Sequence, residues 1–193
     1  MPDALTIEIK DIPDVGEILD RQRRPMLEAG RLALTNLLER NFDRKNQAGN
    51  ARGWPSSKFW ERVASSVTSA AGDDGFSATI TEPGVRLRWK GGEVRPREGK
   101  KALAIPVDPS VARIWPSEYG GYATGGDYDE GATSLFWPKN SSHGFIKDNE
   151  TGDILWMLVA KTTHKPDPSV IPSEDELRGA IVRAMRRAWR AAQ

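Results

Sequence analysis

Val85-Arg86-Leu87-Arg88-Trp89-Lys90-Gly91-Gly92-Glu93-Val94-Arg95-Pro96-Arg97-Glu98-Gly99-Lys100-Lys101-Ala102-Leu103-Ala104-Ile105-Pro106-Val107 is the stretch on which the fold turns. Its first six residues alternate, with Val85, Leu87 and Trp89 on one side and Arg86, Arg88 and Lys90 on the other. Successive side chains of a strand point to opposite faces, so this pattern predicts a strand with one buried and one wet face. Gly91-Gly92 then permits positive φ at a turn or bulge. Leu103, Ile105 and Val107 resume the alternation, and Glu93, Arg95, Arg97, Glu98, Lys100 and Lys101 fill the interval. The expectation is a long β-hairpin based in a core sheet, with a protruding basic arm at 91–101.

Upstream, Phe76–Thr81 is predicted as the partner strand, joined to Val85–Lys90 through the turn Pro83-Gly84. Leu5, Ile7 and Ile9 alternate with Thr6 and Glu8 in a first strand, and Val15, Ile18 and Leu19 mark a short amphipathic turn or helix. Met26, Leu27, Ala33, Leu34, Leu37, Leu38 and Phe42 recur at helical spacing behind Pro25, which predicts a helix over about 25–44. Gly30 inside it costs about 1 kcal/mol relative to Ala, or marks a close helix contact. A second helix is expected from Ser56 or Ser57 to about Val67, and Trp54, Phe59 and Trp60 form a local aromatic cluster.

Downstream, Ile114–Phe136 is irregular and rich in Gly, Tyr and acidic residues, the pattern of a long functional loop. Gly144–Lys147 and Ile154–Ala160 flank the turn 148–153 and predict a second hairpin. The second of these strands is apolar on both faces and so belongs at the centre of a sheet. Lys165–Pro172 reads as a proline-stiffened connector. Ser173 and Glu176 form a capping-box pattern opening a helix over 173–193, acidic at its start and carrying Arg186, Arg187 and Arg190 near its end. The fold class is α+β, helices on an antiparallel sheet, in a single domain over 1–193.

The composition narrows function mainly by exclusion. A net charge of +1 over 193 residues argues against wholesale nucleic-acid binding, and positive charge is concentrated at Arg86–Lys101 and in the last helix. No cysteine is present, which removes disulfides, thiol catalysis and cysteine metal sites. No apolar run reaches the roughly 20 residues that span a bilayer. His143 and His164 lack metal-site spacing, and Asp127, Asp129 and Glu130 lack the downstream acidic residue of an EF-hand loop. Gly120-Gly121 and Gly125-Gly126 are not followed by the Gly-Lys-Ser/Thr of a phosphate loop. No catalytic residue, cofactor or metal is therefore expected. The basic arm suits a protein partner or phosphate about equally, and Trp115 and Trp137 fit interface anchors.

Several pieces occur together in order: Asn36–Phe42, Trp54…Phe59-Trp60, Val85–Trp89, Gly91-Gly92-Glu93-Val94-Arg95-Pro96, Lys100-Lys101-Ala102-Leu103-Ala104-Ile105-Pro106, and Lys165-Pro166-Asp167-Pro168. Their order and wording resemble tailed-bacteriophage virion-morphogenesis proteins of the Mu-like tail-completion type, over about Leu5 to Trp189. The resemblance implies a non-enzymatic subunit of the neck or tail top, assembled in the host cytoplasm as a ring, commonly a hexamer. Its implied partners are itself, a head connector or stopper protein, and a tail-tube or tail-terminator protein, with the lumen a passage for DNA and no membrane involved. The assembly interface expected from these readings comprises Arg86, Arg88, Lys90, Glu93, Arg95, Arg97, Lys100, Lys101, Trp115, Tyr119, Tyr122, Tyr128 and Trp137. The alternative is a nucleic-acid-binding module using the basic arm and the final helix.

Overall fold

The computed structural model describes residues 5–9, 20–49, 53–119 and 132–191. The expected segment at Val15–Leu19, and Tyr122 and Tyr128 of the long loop, lie outside the described residues. Chain contacts divide the protein into two compact units. One comprises Met1–Gly49, Lys58–Gly91 and Lys165–Gln193, the other Asn50–Ser57 and Gly92–His164. Helices and antiparallel sheets together make the fold α+β, as the sequence patterns imply.

Among the described residues, the first unit contains a three-stranded sheet and four α-helices. Strand β1 (Leu5–Ile9) and strand β2 (Val67–Ala71) flank β3 (Phe76–Ile80), both antiparallel to it. Helix α1 (Asp20–Gln47) lies along the sheet, beside α2 (Phe59–Ser65) and α4 (Glu174–Ala191). Leu27, Leu34, Leu38 and Phe42 project from α1 at spacings of seven and four, so they share one face. They close on Phe76, Ala78 and Ile80 of β3, Val63 of α2, and Ile181 and Met185 of α4. Gly30 is where this packing is tightest: a Cβ there would lie 2.6 Å from the Phe76 ring and 3.4 Å from Met185. The helix starts earlier than expected, and Pro25 sits in its second turn.

Val85–Lys90 is not a strand. It is a short helix, α3, bracketed by Gly84 (φ 90°) and Gly91 (φ 70°), conformations that L side chains rarely adopt. Val85, its first residue, is buried. Positions one and five share a face in a strand and in a helix alike, so Val85 and Trp89 satisfy both periods, and six residues are too few to separate them. The partner expected for 76–81 is thus replaced by β1 and β2. Val67–Ala71 was expected to begin as the end of a helix; it is a strand because β3 supplies its ladder. The connector 165–172 also does more than link. Asp167 accepts from Ser169 N–H (3.0 Å), a 3-10 turn covers Pro168–Val170, and Val170 and Ile171 enter the core. The capping box at Ser173 and Glu176 forms as read, with Glu176 accepting from Ser173 N–H at 2.9 Å.

The second unit holds the paired strands β4 (Gly92–Val94) and β9 (Thr162–His164), and a four-stranded antiparallel sheet. Its strands are β5 (Leu103–Pro106), β6 (Thr133–Phe136), β7 (Gly144–Asp148) and β8 (Ile154–Val159), in the order β5-β8-β7-β6. The hairpin predicted at 144–160 is present, and β8 is central. The β7–β8 pairing shifts register between Ile146 and Lys147. The long hairpin over Val85–Val107 does not form: β4 pairs with β9 and β5 with β8, so neither pairs with the other. Val111, Ile146, Leu155, Trp156 and Leu158 make this unit's core.

Candidate assembly surface

The basic residues of the expected strand face and those of the expected arm fall in different units. Arg86, Arg88 and Lys90 ride on α3 in the first unit, while Glu93 to Lys101 belong to the second. Arg88 stacks its guanidinium 4.5 Å from the Phe59 ring and 5.5 Å from the Trp60 ring. Burial lowers its pKa, against the raising influence of Asp167. Trp60 also stacks on Phe42 at 6.0 Å and faces Lys45 at 5.3 Å, so Arg88 closes a cation–aromatic stack. Lys90 sits 3.7 Å from the Trp89 ring centre. Of the expected aromatic cluster, Phe59 and Trp60 meet edge to face at 4.9 Å, and Trp54 falls in the second unit.

In the second unit Glu93 bridges Lys161 (2.6 Å) and Arg95 (2.5 Å), and both contacts hold its carboxyl below the ordinary range. Arg97, Lys100 and Lys101 are exposed around a turn closed by Lys100 N–H to Arg97 O (2.9 Å). Tyr119, expected in the assembly interface, instead packs against its own unit's core. Its ring meets Trp156 edge to face at 5.4 Å and its hydroxyl donates to Asp148 Oδ2 at 3.1 Å. That hydrogen bond raises the Tyr119 pKa. Asp148 is held low chiefly by the backbone N–H of Thr151, with Glu150 N–H and Tyr119 adding to it. Trp115 and Trp137 do face solvent, at 70% and 52% exposure.

The strongest surface feature is only partly covered by the expected interface, which includes Trp137 but not Leu135 or Phe136. Leu135 and Phe136, the last residues of edge strand β6, are 50% and 53% exposed, beside Trp137. Registers across the sheet set Ile105, Met157, Phe145 and Phe136 in one row on one face. Pro106, Trp156, Ile146 and Leu135 form the matching row on the other. Ile146 and Trp156 are each 1% exposed, so the sheet passes from a sealed centre to an apolar margin at β6. The sequence signal was the run Leu135-Phe136-Trp137, but nothing in it distinguishes an edge strand from a central one.

Among the described residues no group of three or more His, Cys, Asp or Glu could hold a metal ion. His143 joins only a local network, its Nδ1 3.0 Å from Ser142 Oγ. No described helix is long and apolar enough to cross a membrane. No family model, curated protein or solved structure matched the chain.

Proposed function

We propose that this chain is a structural subunit of a tailed-bacteriophage virion: a tail-completion or head–tail connector protein that assembles as a ring, commonly of six copies, and joins head to tail. The observation that carries the reading is the apolar margin of the four-stranded sheet, Leu135, Phe136 and Trp137, about half exposed in the isolated chain. Large apolar side chains grouped on an edge strand are an association hazard unless a partner covers them. The ordered motifs of the sequence supply the phage setting. Partners in this reading are further copies of the chain, a head connector or stopper protein, and a tail-tube or tail-terminator protein.

The test is a virion carrying Leu135→Lys and Phe136→Lys in this subunit. The expected result is a folded, soluble subunit with heads and tails that fail to stay joined. Tailed particles at normal yield would overturn the assignment.

A second reading, nucleic-acid binding, has one observation of its own. Arg183, Arg186, Arg187 and Arg190 lie within the last turns of α4, and none forms an ion pair among the described residues. It predicts retention on duplex DNA that falls steeply with salt, because phosphate contacts release counterions. Absence of retention at low salt rejects it.

A further inference from the structure

We propose that the two outer edges of the four-stranded sheet pair with each other between copies of this chain, β5 of one copy against β6 of the next. The sheet then runs on from subunit to subunit around the ring. The inference rests on the assembly reading above and specifies its junction.

Strand parity is the first argument. Each neighbouring pair in β5-β8-β7-β6 is antiparallel, and with four strands the two edges run in opposite directions. Rotation about an axis roughly along the strands preserves their direction. A neighbouring copy placed by such a rotation brings its β6 antiparallel to β5, and the alternation continues unbroken. The three-stranded sheet differs, because its edges β1 and β2 run the same way. The same operation there would give a parallel junction, which is slightly less stable per residue.

The backbone fixes a register. Val107 N–H donates inward to Leu155 O at 2.9 Å, and Pro106 has no N–H. Inward and outward groups alternate along a strand, so the outward groups of β5 are the N–H and C=O of Ala104 and the C=O of Pro106. On β6, Asn149 N–H donates to Ala132 O at 3.0 Å, which turns the groups of Thr133 and Leu135 outward. Both strands are four residues long. Laid flush, Ala104 and Leu135 exchange both their hydrogen bonds, and Thr133 N–H donates to Pro106 O. The missing donor of Pro106 thus falls at the end of the ladder.

The side-chain faces agree with this register independently. Leu103 comes opposite Phe136, on the face shared with Met157 and Phe145, and Ala104 comes opposite Leu135 on the face of Trp156 and Ile146. A one-residue slip would reverse every face. Half-exposed Phe136 meets half-buried Leu103, and exposed Leu135 meets the small Ala104. The apolar row Ile105–Met157–Phe145–Phe136 becomes part of a belt repeated in each copy. A four-residue ladder buries far less than the roughly 1,200 Å² of a stable pairwise interface. Single junctions are therefore weak, and closure of the ring holds them by making the last contact intramolecular.

The absence of native cysteine makes the test clean. Leu103 and Phe136 would form a non-hydrogen-bonded pair with Cα atoms about 4.5 Å apart, within disulfide reach. The purified full chain carrying L103C and F136C is oxidised with oxidised glutathione and run on a non-reducing gel. The expected product is a ladder of covalent multimers ending at the ring. Chains with L103C alone mixed with chains carrying F136C alone give dimer and nothing larger, and neither gives a disulfide dimer by itself. Adding Leu135→Lys abolishes the ladder while the far-ultraviolet circular dichroism spectrum is retained. A double variant that stays monomeric, or F136C chains that cross-link to themselves, overturns the junction. Electron microscopy of virions separates this from the phage assignment: a ladder from a subunit missing from particles removes only the phage role, and a subunit present in particles without the ladder removes only the junction.

Discussion

The two sheets of this protein carry their apolar surface differently. In the three-stranded sheet, Phe76, Ala78 and Ile80 are covered by α1, and the opposite face carries Thr6, Thr79, Thr68 and Ser77, with Thr6 and Thr79 hydroxyls 3.2 Å apart. That sheet is finished within one chain. In the four-stranded sheet the centre is equally sealed around Ile146 and Trp156, but the apolar rows continue to β6 and end at Leu135 and Phe136, half in water. The first pattern leaves a polar outer face, the second an exposed apolar margin.

The comparison breaks most readily at the two cores. Phe42→Ala in the first unit and Trp156→Ala in the second should each cost about 3–5 kcal/mol, since both side chains are almost wholly buried. Denaturant unfolding with amide exchange resolved by unit checks this, with each variant expected to lose protection chiefly in its own unit.

Two glycines sharpen the contrast. Gly30→Ala drives a Cβ against Phe76, which is 4% exposed and has nowhere to move, and should cost about 1–3 kcal/mol. A Cβ at Gly144 would lie 2.2 Å from Trp137, but that ring is half exposed and can swing outward. Gly144→Ala should cost less than Gly30→Ala and shift tryptophan emission to the red. Equal thermal destabilisation by the two would show that Trp137 is not part of an uncovered margin.

Acid should loosen both units by the same mechanism. Asp167 in the first is held low chiefly by Ser169, and Asp148 in the second chiefly by Thr151 N–H. A carboxyl whose folded pKa is depressed adds stability that is present above its ordinary value near 3.8 and lost as pH falls through the folded value. Denaturation midpoints should therefore fall below about pH 4. Asp148→Ala should lower the midpoint at pH 7 and narrow its fall between pH 7 and pH 3. An unchanged pH profile in that variant would remove Asp148 from the account.

Much of the fold was legible where local and long-range demands agree. Helix α4 announced itself through Ser173 and Glu176, and the β7–β8 hairpin through a polar turn between apolar runs. Helix α1 followed from its spacing. Val85–Lys90 misled because a two-residue period over six positions also places Val85 and Trp89 on one helical side. Strand β2, Val-Thr-Ser-Ala-Ala, has little strand character of its own and owes its state to β3. The site was harder to read, because charge and aromaticity do not reveal exposure. Arg88 and Tyr119 looked available and are held by Phe59 and Asp148, whereas Leu135 and Phe136, read as the end of the irregular segment 114–136, form the exposed end of an edge strand.

The smallest expected effect on stability carries the most information. Lysines at Leu135 and Phe136 replace half-exposed side chains and should change the unfolding free energy by only about 0.5 kcal/mol. Sedimentation velocity of the 21.4 kDa chain over rising concentration tests the central claim, that this sheet margin is where copies meet. The account predicts concentration-dependent multimers for the native chain and a folded monomer for the Leu135→Lys, Phe136→Lys variant. A native chain that remains monomeric at every concentration, or a variant that assembles as readily as the native chain, would contradict it.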